Sequence, residues 1–317
     1  MLDNNIWTYL VEANSVDELR LEAWSQRVDI VMPPAIVIEA LQARPTTKPD
    51  LDAKHRRITA MTSSAWVRLM PEAYKEATEV QQEVARLRPQ WIDPLPRLRD
   101  WNRNKLDWQG KWWDFVRQTP DEAARVHEEL SEGRTARAQA DTRRARSEAM
   151  QDGRTFERID FVQSARLYVE ETGWAGDPFE SWRGEAMNRW FAALSQRGPD
   201  NDWLAAWLKV DEIDRSDWAT FWMRDVDQER VPLNWLRWAF GHVQSTRATN
   251  AGTPVDNQIA TYLPESDVFV TADRVFASCI AAVSPHSPVR LAEPIAVPAN
   301  IAAVEETLLQ LDRLGSR

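Results

Sequence analysis

The chain has 317 residues with a net charge of −10 at pH 7, and its mean hydropathy is −0.53. This length is enough for one large domain or two smaller ones with a buried core. Because Cys279 is the only cysteine, an internal disulfide framework and a cysteine-rich zinc or iron–sulfur site are excluded. Only 10 glycines occur, none of them before Gly110, and no glycine-rich phosphate-binding motif is present.

The charge and hydropathy pattern also indicates where the protein acts. No apolar run approaches the roughly 20 residues that a membrane-spanning helix needs. The N-terminal residues lack the basic and apolar segments of a signal peptide. We therefore expect a cytoplasmic protein that does not contact a membrane. The acidic net charge argues against a protein that coats nucleic acids in general.

Short apolar runs alternate with helical patterns in residues 1–45. The predicted elements are a very short strand at residues 1–3, a helix through Val11, a strand over residues 28–32 and a helix over residues 35–43. Two consecutive prolines end the second strand, and proline is tolerated in the first turn of the helix that follows.

The middle of the chain, residues 46–250, has almost no strand signal. Val80, Val84 and Leu87 follow the spacing of a helix face, and tryptophans recur four residues apart. Fifteen of the 17 tryptophans lie between Trp66 and Trp238, where large aromatic side chains at helical spacing are typical of a core. This segment is predicted to be an all-helical insertion.

Residues 251–317 return to the alternating pattern of the N-terminus. The predicted elements are a helix over residues 256–263, a strand over residues 267–271, a helix through Ile280, a strand within residues 289–297 and a helix over residues 300–314. Alternating strands and helices predict an α/β fold, in which a parallel sheet is flanked by helices. This core combines residues 1–45 with residues 251–317 and is interrupted by the helical insertion.

Four acidic residues lie at the ends of predicted strands or near the starts of predicted helices in the core. Asp3 and Asp273 end strands, whereas Glu39 and Asp256 lie near the start of helices. Functional groups of open parallel sheets collect beyond the carboxyl ends of the strands. We therefore expect these four side chains to converge.

The residues around these acids resemble four motifs of the PIN-domain nuclease family. The matching stretches are Leu2-Asp3-Asn4-Asn5-Ile6, Pro34-Ala35-Ile36-Val37-Ile38-Glu39, Asp256-Asn257-Gln258-Ile259-Ala260 and Phe269-Val270-Thr271-Ala272-Asp273-Arg274-Val275-Phe276. The 17-residue separation of Asp256 from Asp273 is typical of that family. Glu39 and Asp256 lie 217 residues apart, so the resemblance implies a PIN-like core with a large insertion.

The resemblance implies a metal-dependent nuclease that hydrolyses phosphodiester bonds, in RNA rather than DNA. Asp3, Glu39, Asp256 and Asp273 would be the catalytic ligands of Mg²⁺ or Mn²⁺, cations that prefer oxygen ligands. By the same resemblance, Asn5 and Thr271 would orient these ligands through hydrogen bonds.

Each acid also has an ordinary structural interpretation. Asp3, Asp256 and Asp273 suit helix N-caps, where aspartate is favoured, and Glu39 suits a solvated helix surface. Asp267 lies close enough in sequence to remain an alternative to Asp256, the third acid in chain order.

The insertion carries a candidate substrate-binding segment. Its members are Arg103, Lys105, Lys111, Trp112 and Trp113, where cations alternate with aromatic rings. Such rings can stack on unpaired bases, and cations can contact phosphates. Interleaved acids equally indicate a solvated helical face. Because they are adjacent, Trp112 and Trp113 cannot share one helix face, so one of them is expected at the surface or against a second element.

Two functions therefore follow from the sequence. In the first, the protein is a metal-dependent ribonuclease whose insertion selects the substrate or covers the site. In the alternative, the PIN-like core is catalytically silent and the helical insertion docks a protein partner, such as an antitoxin-like inhibitor. The resemblance also implies a homodimer and leaves roles as a toxin, a defence nuclease or an RNA-processing enzyme open.

Overall fold

The structure, a computed structural model, describes residues 1–43, 45–96, 98–131, 161–162, 165, 175–245 and 253–316. Its α-helices are α1 (Asn4–Glu12), α2 (Val16–Gln26), α3 (Pro34–Gln42), α4 (Lys48–Met61), α5 (Glu72–Leu87), α6 (Arg99–Leu106), α7 (Trp112–Gln118), α8 (Pro120–Ser131), α9 (Trp182–Ser195), α10 (Pro199–Leu204), α11 (Arg215–Thr220), α12 (Pro232–Ser245), α13 (Thr253–Ala260), α14 (Arg274–Val283) and α15 (Ala303–Gly315). The strands are β1 (Val31–Met32), β2 (Val67–Arg68), β3 (Val268–Thr271) and β4 (Glu293–Ala296).

The predicted α/β fold with a PIN-like parallel sheet is wrong. Within the described ranges, the strands form two separate parallel pairs, β1 with β2 and β3 with β4, and helices form most of the molecule. Residues 1–3 add only a single bridge, between Leu2 and Val270. The short apolar runs occur where the sequence indicates, but β1 pairs with a strand of the middle segment and never joins β3. Pro294 in β4 has no N–H to donate, which suits an edge strand.

The individual elements of the C-terminal segment lie close to their predicted positions. The strand predicted over residues 267–271 is β3, and the one predicted within residues 289–297 is β4. The final helix, α15, begins three residues later than expected. The local patterns therefore located the elements, although they did not determine how the strands assemble.

The N-terminal and middle segments pack directly against each other. α3 contacts α4, α8 and α13, and α1 contacts α4 and α15. The rings of Trp7 and Trp66 meet edge to face with centroids 5.4 Å apart. The division into a core of residues 1–45 and 251–317 and an insertion of residues 46–250 stays a prediction.

Tryptophans fill much of the interior, as their helical spacing predicts. The fully buried ones are Trp7, Trp113, Trp182, Trp190, Trp218, Trp222, Trp235 and Trp238. The indole Nε1 of Trp190 donates a hydrogen bond to Asn234 Oδ1 at 2.6 Å, which joins α9 to α12. Burying a large aromatic side chain stabilises a fold by roughly 1.5–3 kcal/mol. Trp24, in contrast, is 81% exposed.

A row of glutamates on α5 crosses the interior between α9 and α12. Glu76 is completely buried and forms ion pairs with Arg189 and with Arg237, the latter at 2.8 Å. Glu79 accepts a hydrogen bond from the backbone N–H of Leu233 at 3.1 Å, at the start of α12. Burial and the charge of Glu76 raise the pKa of Glu79 to about 9. The buried Glu76 charge is thus balanced by two arginines, whereas Glu79 is protonated near neutral pH.

None of the helices in the described part of the chain combines the length and the apolar character needed to cross a bilayer.

Candidate functional site

Asp3 lies where the N-terminal residues meet both β3 and α1. Its backbone N–H donates to Val270 O at 3.0 Å, so residues 1–3 run beside β3. Its Oδ1 accepts from Asn4 N at 2.8 Å and caps α1. Its Oδ2 accepts from the hydroxyl of Thr271 at 2.5 Å. Asp3 is therefore a buried carboxylate held by both of its oxygens.

Asp273 is anchored at the end of β3, where α14 begins. Its Oδ1 accepts from the backbone N–H groups of Val275 at 2.8 Å and Phe276 at 2.9 Å, so Asp273 caps α14. Its own N–H donates to the Thr271 hydroxyl oxygen at 2.9 Å. Thr271 thus connects Asp3 with Asp273.

Asn5 and Thr271, the two residues proposed to orient the acids, both contact Asp3. The Asn5 side chain hydrogen-bonds to Asp3, and its Oδ1 accepts from Ala272 N at 3.3 Å. Burial raises the pKa of Asp3, and the Thr271 and Asn5 hydrogen bonds oppose that rise. The charge of Asp273 raises the pKa of Asp3 further.

Glu39 faces these residues from α3. Its pKa is raised to about 8, first by burial and then by the charges of Asp3 and Asp256. A hydrogen bond from the Asn4 side chain and the positive charge of Arg57 lower it. Oε2 of Glu39 is buried and, among the groups that the structure describes, has no hydrogen-bond partner. Glu39 is therefore a carboxyl group that changes charge near neutral pH.

Asp256 completes the group from α13, which packs against α3. The negative charge of Asp256 raises the pKa of Glu39, as that of Asp273 raises the pKa of Asp3. Asp3, Glu39, Asp256 and Asp273 are called the acidic cluster below. Asp267 does not belong to it, since its side chain is 79% exposed and lies 3.4 Å from Arg290.

The acidic cluster fits a hard divalent cation by the chemistry of its donors. It offers only carboxylate oxygens, its charges repel one another, and the buried Oε2 of Glu39 lacks a partner within the described ranges. However, no three His, Cys, Asp or Glu side chains in the described part of the chain are already grouped as a metal site would group them. Binding through three of them requires these side chains to move closer together.

The cap positions of Asp3 and Asp273 agree with the structural interpretation of these two acids. A carboxylate oxygen that caps a helix still has a second lone pair, so capping does not prevent it from binding a cation. Both roles are therefore available to the same side chain.

The cations of the predicted substrate-binding segment are partly engaged. Arg103 lies 3.5 Å from Asp100, and Lys111 lies 2.8 Å from Asp107. Lys105 places its Nζ 5.3 Å from the centre of the Trp101 ring. Arg103 and Lys111 are also highly exposed, so their ion pairs are weak and open to exchange for a phosphate. Substrate contact by these cations stays a prediction.

Trp112 and Trp113 of that segment differ in solvent exposure, as their adjacent positions on a helix predict. Trp113 is completely buried and donates its Nε1–H to Trp108 O at 2.8 Å. Its predicted contact with a substrate is therefore corrected, because the ring belongs to the core. Trp112 is partly exposed and packs on Trp108 with ring centroids 4.6 Å apart.

Arg57, on α4, is a neighbour of the acidic cluster that the sequence indicates only as part of a basic pair, which could contact phosphates or form a solvated face. The basic pair formed by Arg56 and Arg57 looks like a solvated cluster in the sequence, yet only Arg56 is exposed. Arg57 Nη1 donates to Thr8 Oγ1 at 2.5 Å, and its charge lowers the pKa of Glu39. The one available signal is that Arg57 precedes the buried Ile58, which places it beside the inner face of α4.

Comparison of the chain with protein-family models, curated proteins and solved structures gave no match. The resemblance to PIN-domain nucleases stays a prediction drawn from the four motifs. A functional proposal therefore depends on the acidic cluster and its surroundings.

Proposed function

We propose that the acidic cluster binds Mg²⁺ or Mn²⁺ and that the protein hydrolyses phosphodiester bonds, in RNA rather than DNA. The observation that carries this proposal is that neighbouring acids of the cluster act on one another: the charge of Asp273 acts on Asp3, and the charges of Asp3 and Asp256 act on Glu39. Sequence-distant carboxylates that repel one another in a partly buried place are unfavourable for folding alone. Such a cost is typical of a functional site.

A divalent cation relieves this repulsion, because its charge stabilises the ionised form of each carboxylate. When bound, the cation stabilises negative charge on a phosphate and supplies a more acidic water. Asp3 is the central ligand in this proposal, since Thr271 and Asn4 hold its two oxygens in place. Asp273 is held by its cap, so cation binding requires the other ligands to move toward these two residues.

Glu39 links cation binding to the release of a proton. Its pKa of about 8 in the metal-free chain means that it must ionise when a cation binds, because the cation stabilises the ionised carboxylate. Its Oε2 has no partner in the described part of the chain and is available to accept a proton or a cation. Asp256 completes the set from α13.

The alternative, a catalytically silent module, is favoured by a different observation. Asp3 and Asp273 already cap helices, and the described residues contain no ready group of three metal-binding side chains. In that case the helical middle segment docks a protein partner, such as an inhibitor. The proposed homodimer and the inhibitor partner depend only on the family resemblance.

A manganese titration separates the two functions. We expect Mn²⁺ to raise the melting temperature of the native chain and to support cleavage of a single-stranded RNA. The variants Asp3→Asn and Asp273→Asn should lose both effects, because each removes a ligand charge. Asp267→Asn is the matched control, since it removes an exposed carboxylate outside the cluster.

The outcomes are distinct. Equal cleavage by the native chain, Asp3→Asn and Asp273→Asn would refute the assignment of the active site. A melting temperature that Mn²⁺ does not change, together with no cleavage of RNA, would favour the catalytically silent module.

A further inference from the structure

A cleft opens beside the acidic cluster, between α1, α4 and the chain that follows α3. It encloses about 260 Å³. Its apolar wall is formed by Val11, Ala43, Pro45 and Ala53, and Arg57 lines the same space. This volume is below the roughly 300–1,000 Å³ of sites for drug-sized ligands, so the cleft suits one small ring system.

Arg57 joins this cleft to the acidic cluster. Its Nη1 donates to Thr8 Oγ1 at 2.5 Å, and Thr8 in turn donates to Asn4 O at 3.1 Å. Arg57 and Asn4 both act on Glu39, the first through its charge and the second through a hydrogen bond. The cleft and the acidic cluster therefore share one wall.

The hydrogen bond from Nη1 to Thr8 uses one of the five N–H donors of Arg57. Its Nε is buried away from solvent and, among the residues that the structure describes, meets no acceptor. Burial disfavours the positive charge of Arg57, and Arg57 lines the cleft, so a ligand that places an anionic oxygen beside its guanidinium would be stabilised there. Guanidinium groups match phosphate oxygens in geometry better than ammonium groups do.

Two of the other charged side chains of the cleft, Lys54 and Asp50, already have structural roles. Lys54 donates its Nζ hydrogens to Leu41 O at 2.7 Å and Ala43 O at 2.9 Å, where α3 ends. Asp50 accepts from Thr47 N at 3.2 Å in the capping box of α4. Glu12 is exposed at the rim, and its charge acts on Arg57. Of the two cations of the cleft that the structure describes, Arg57 is thus the better placed to meet a ligand.

We propose that this cleft binds one unpaired nucleotide of the substrate strand, with its base against the apolar wall and a phosphate oxygen on Arg57. This inference depends on the proposed nuclease function and specifies its substrate as single-stranded nucleic acid. A base inside the cleft cannot remain paired, so a duplex is excluded from the same position.

The direct test is binding of a fluorescein-labelled single-stranded RNA of about twelve nucleotides, followed by fluorescence anisotropy in EDTA. Arg57→Gln should weaken the affinity by roughly tenfold or more, because a charge-assisted hydrogen bond is lost. Arg56→Gln is the matched control: it removes an exposed charge from the neighbouring position of the same helix and should change the affinity less than about threefold.

A second variant tests the base rather than the phosphate. Ala53→Leu leaves Arg57 intact but fills the apolar wall, so it should also weaken binding of the single strand. Thermal melting of each variant shows that it is folded. An RNA duplex of the same length should bind the native chain more weakly than the single strand.

Three results would overturn the proposal: equal affinities for Arg57→Gln and Arg56→Gln, an Ala53→Leu chain that binds normally, or a duplex bound as tightly as the single strand. Absence of RNA binding by the native chain would also overturn it. Because EDTA removes metals, binding is separated from catalysis. Loss of affinity in Arg57→Gln without any cleavage by the native chain would retain the cleft and refute the nuclease. Cleavage by Arg57→Gln with the same KM as the native chain would retain the nuclease function and refute the cleft as a nucleotide-binding site.

Discussion

Replacement of Glu79 by glutamine should make the fold less sensitive to alkaline pH. Burial and the charge of Glu76 raise the pKa of Glu79 from 4.5 to about 9, so the folded chain holds a proton that the unfolded chain releases. Stability from this proton is fully present below about pH 4.5 and is lost as pH rises toward 9. Glutamine has nearly the same shape and can still accept from Leu233 N, but it cannot ionise.

The magnitude follows from proton linkage. One group with a raised folded pKa lowers the free energy of unfolding by at most about 1.4 kcal/mol for each pH unit in this window. Glu39, with a pKa of about 8, adds a slope of the same sign, whereas the N-terminal amino group, whose pKa burial lowers to about 5, adds a slope of opposite sign. The comparison with Glu79→Gln isolates Glu79: between pH 6 and pH 8 the native chain should lose roughly 2–3 kcal/mol more than Glu79→Gln.

The assay is urea-induced unfolding followed by tryptophan fluorescence at several pH values. Glu229→Gln is the control, because Glu229 is exposed. A Glu79→Gln chain with the same pH slope as the native chain would refute the assignment of a protonated, buried Glu79. A native chain that loses less stability than Glu79→Gln between pH 6 and pH 8 would contradict the sign of the argument.

Two further predictions concern single hydrogen bonds. Trp190→Phe leaves the buried Oδ1 of Asn234 without its 2.6 Å donor, so urea unfolding should show a loss of about 1–3 kcal/mol, whereas Trp24→Phe at the exposed position should cost less than about 0.5 kcal/mol. Thr271→Val removes the hydroxyl that donates to Asp3, so the pKa of Asp3 should rise further and Mn²⁺ should raise the melting temperature less, while Thr271→Ser should behave as the native chain.

The positions of helices and strands were predictable because their signals are local. The strand β3 and the helix α14 lie where apolar runs and the Asp273 cap indicate. The parallel sheet was not predictable in this way, because each strand needs a hydrogen-bonding neighbour that the pattern does not identify. β1 pairs with β2, which consists of only Val67 and Arg68 and lies in the segment predicted to be all-helical.

The candidate site stays a prediction, although some of its expected contacts are present. The charge of Asp273 acts on Asp3, those of Asp3 and Asp256 act on Glu39, and Asn5 and Thr271 contact Asp3. The sequence does not predict that Arg57 approaches Glu39, because this contact depends on how α4 packs against α1 and α3. The burial of Trp113 likewise depends on tertiary packing around α7.

The most direct test of the central claim is calorimetric titration of the metal-free chain with Mn²⁺ at pH 7 in two buffers of different ionisation enthalpy. The proposal predicts saturable binding with release of about one proton, because Glu39, with a pKa of about 8, must ionise to bind a cation. It also predicts that Asp3→Asn abolishes this binding. Absence of saturable binding by the native chain, or unchanged binding by Asp3→Asn, would contradict a cation site formed by the acidic cluster.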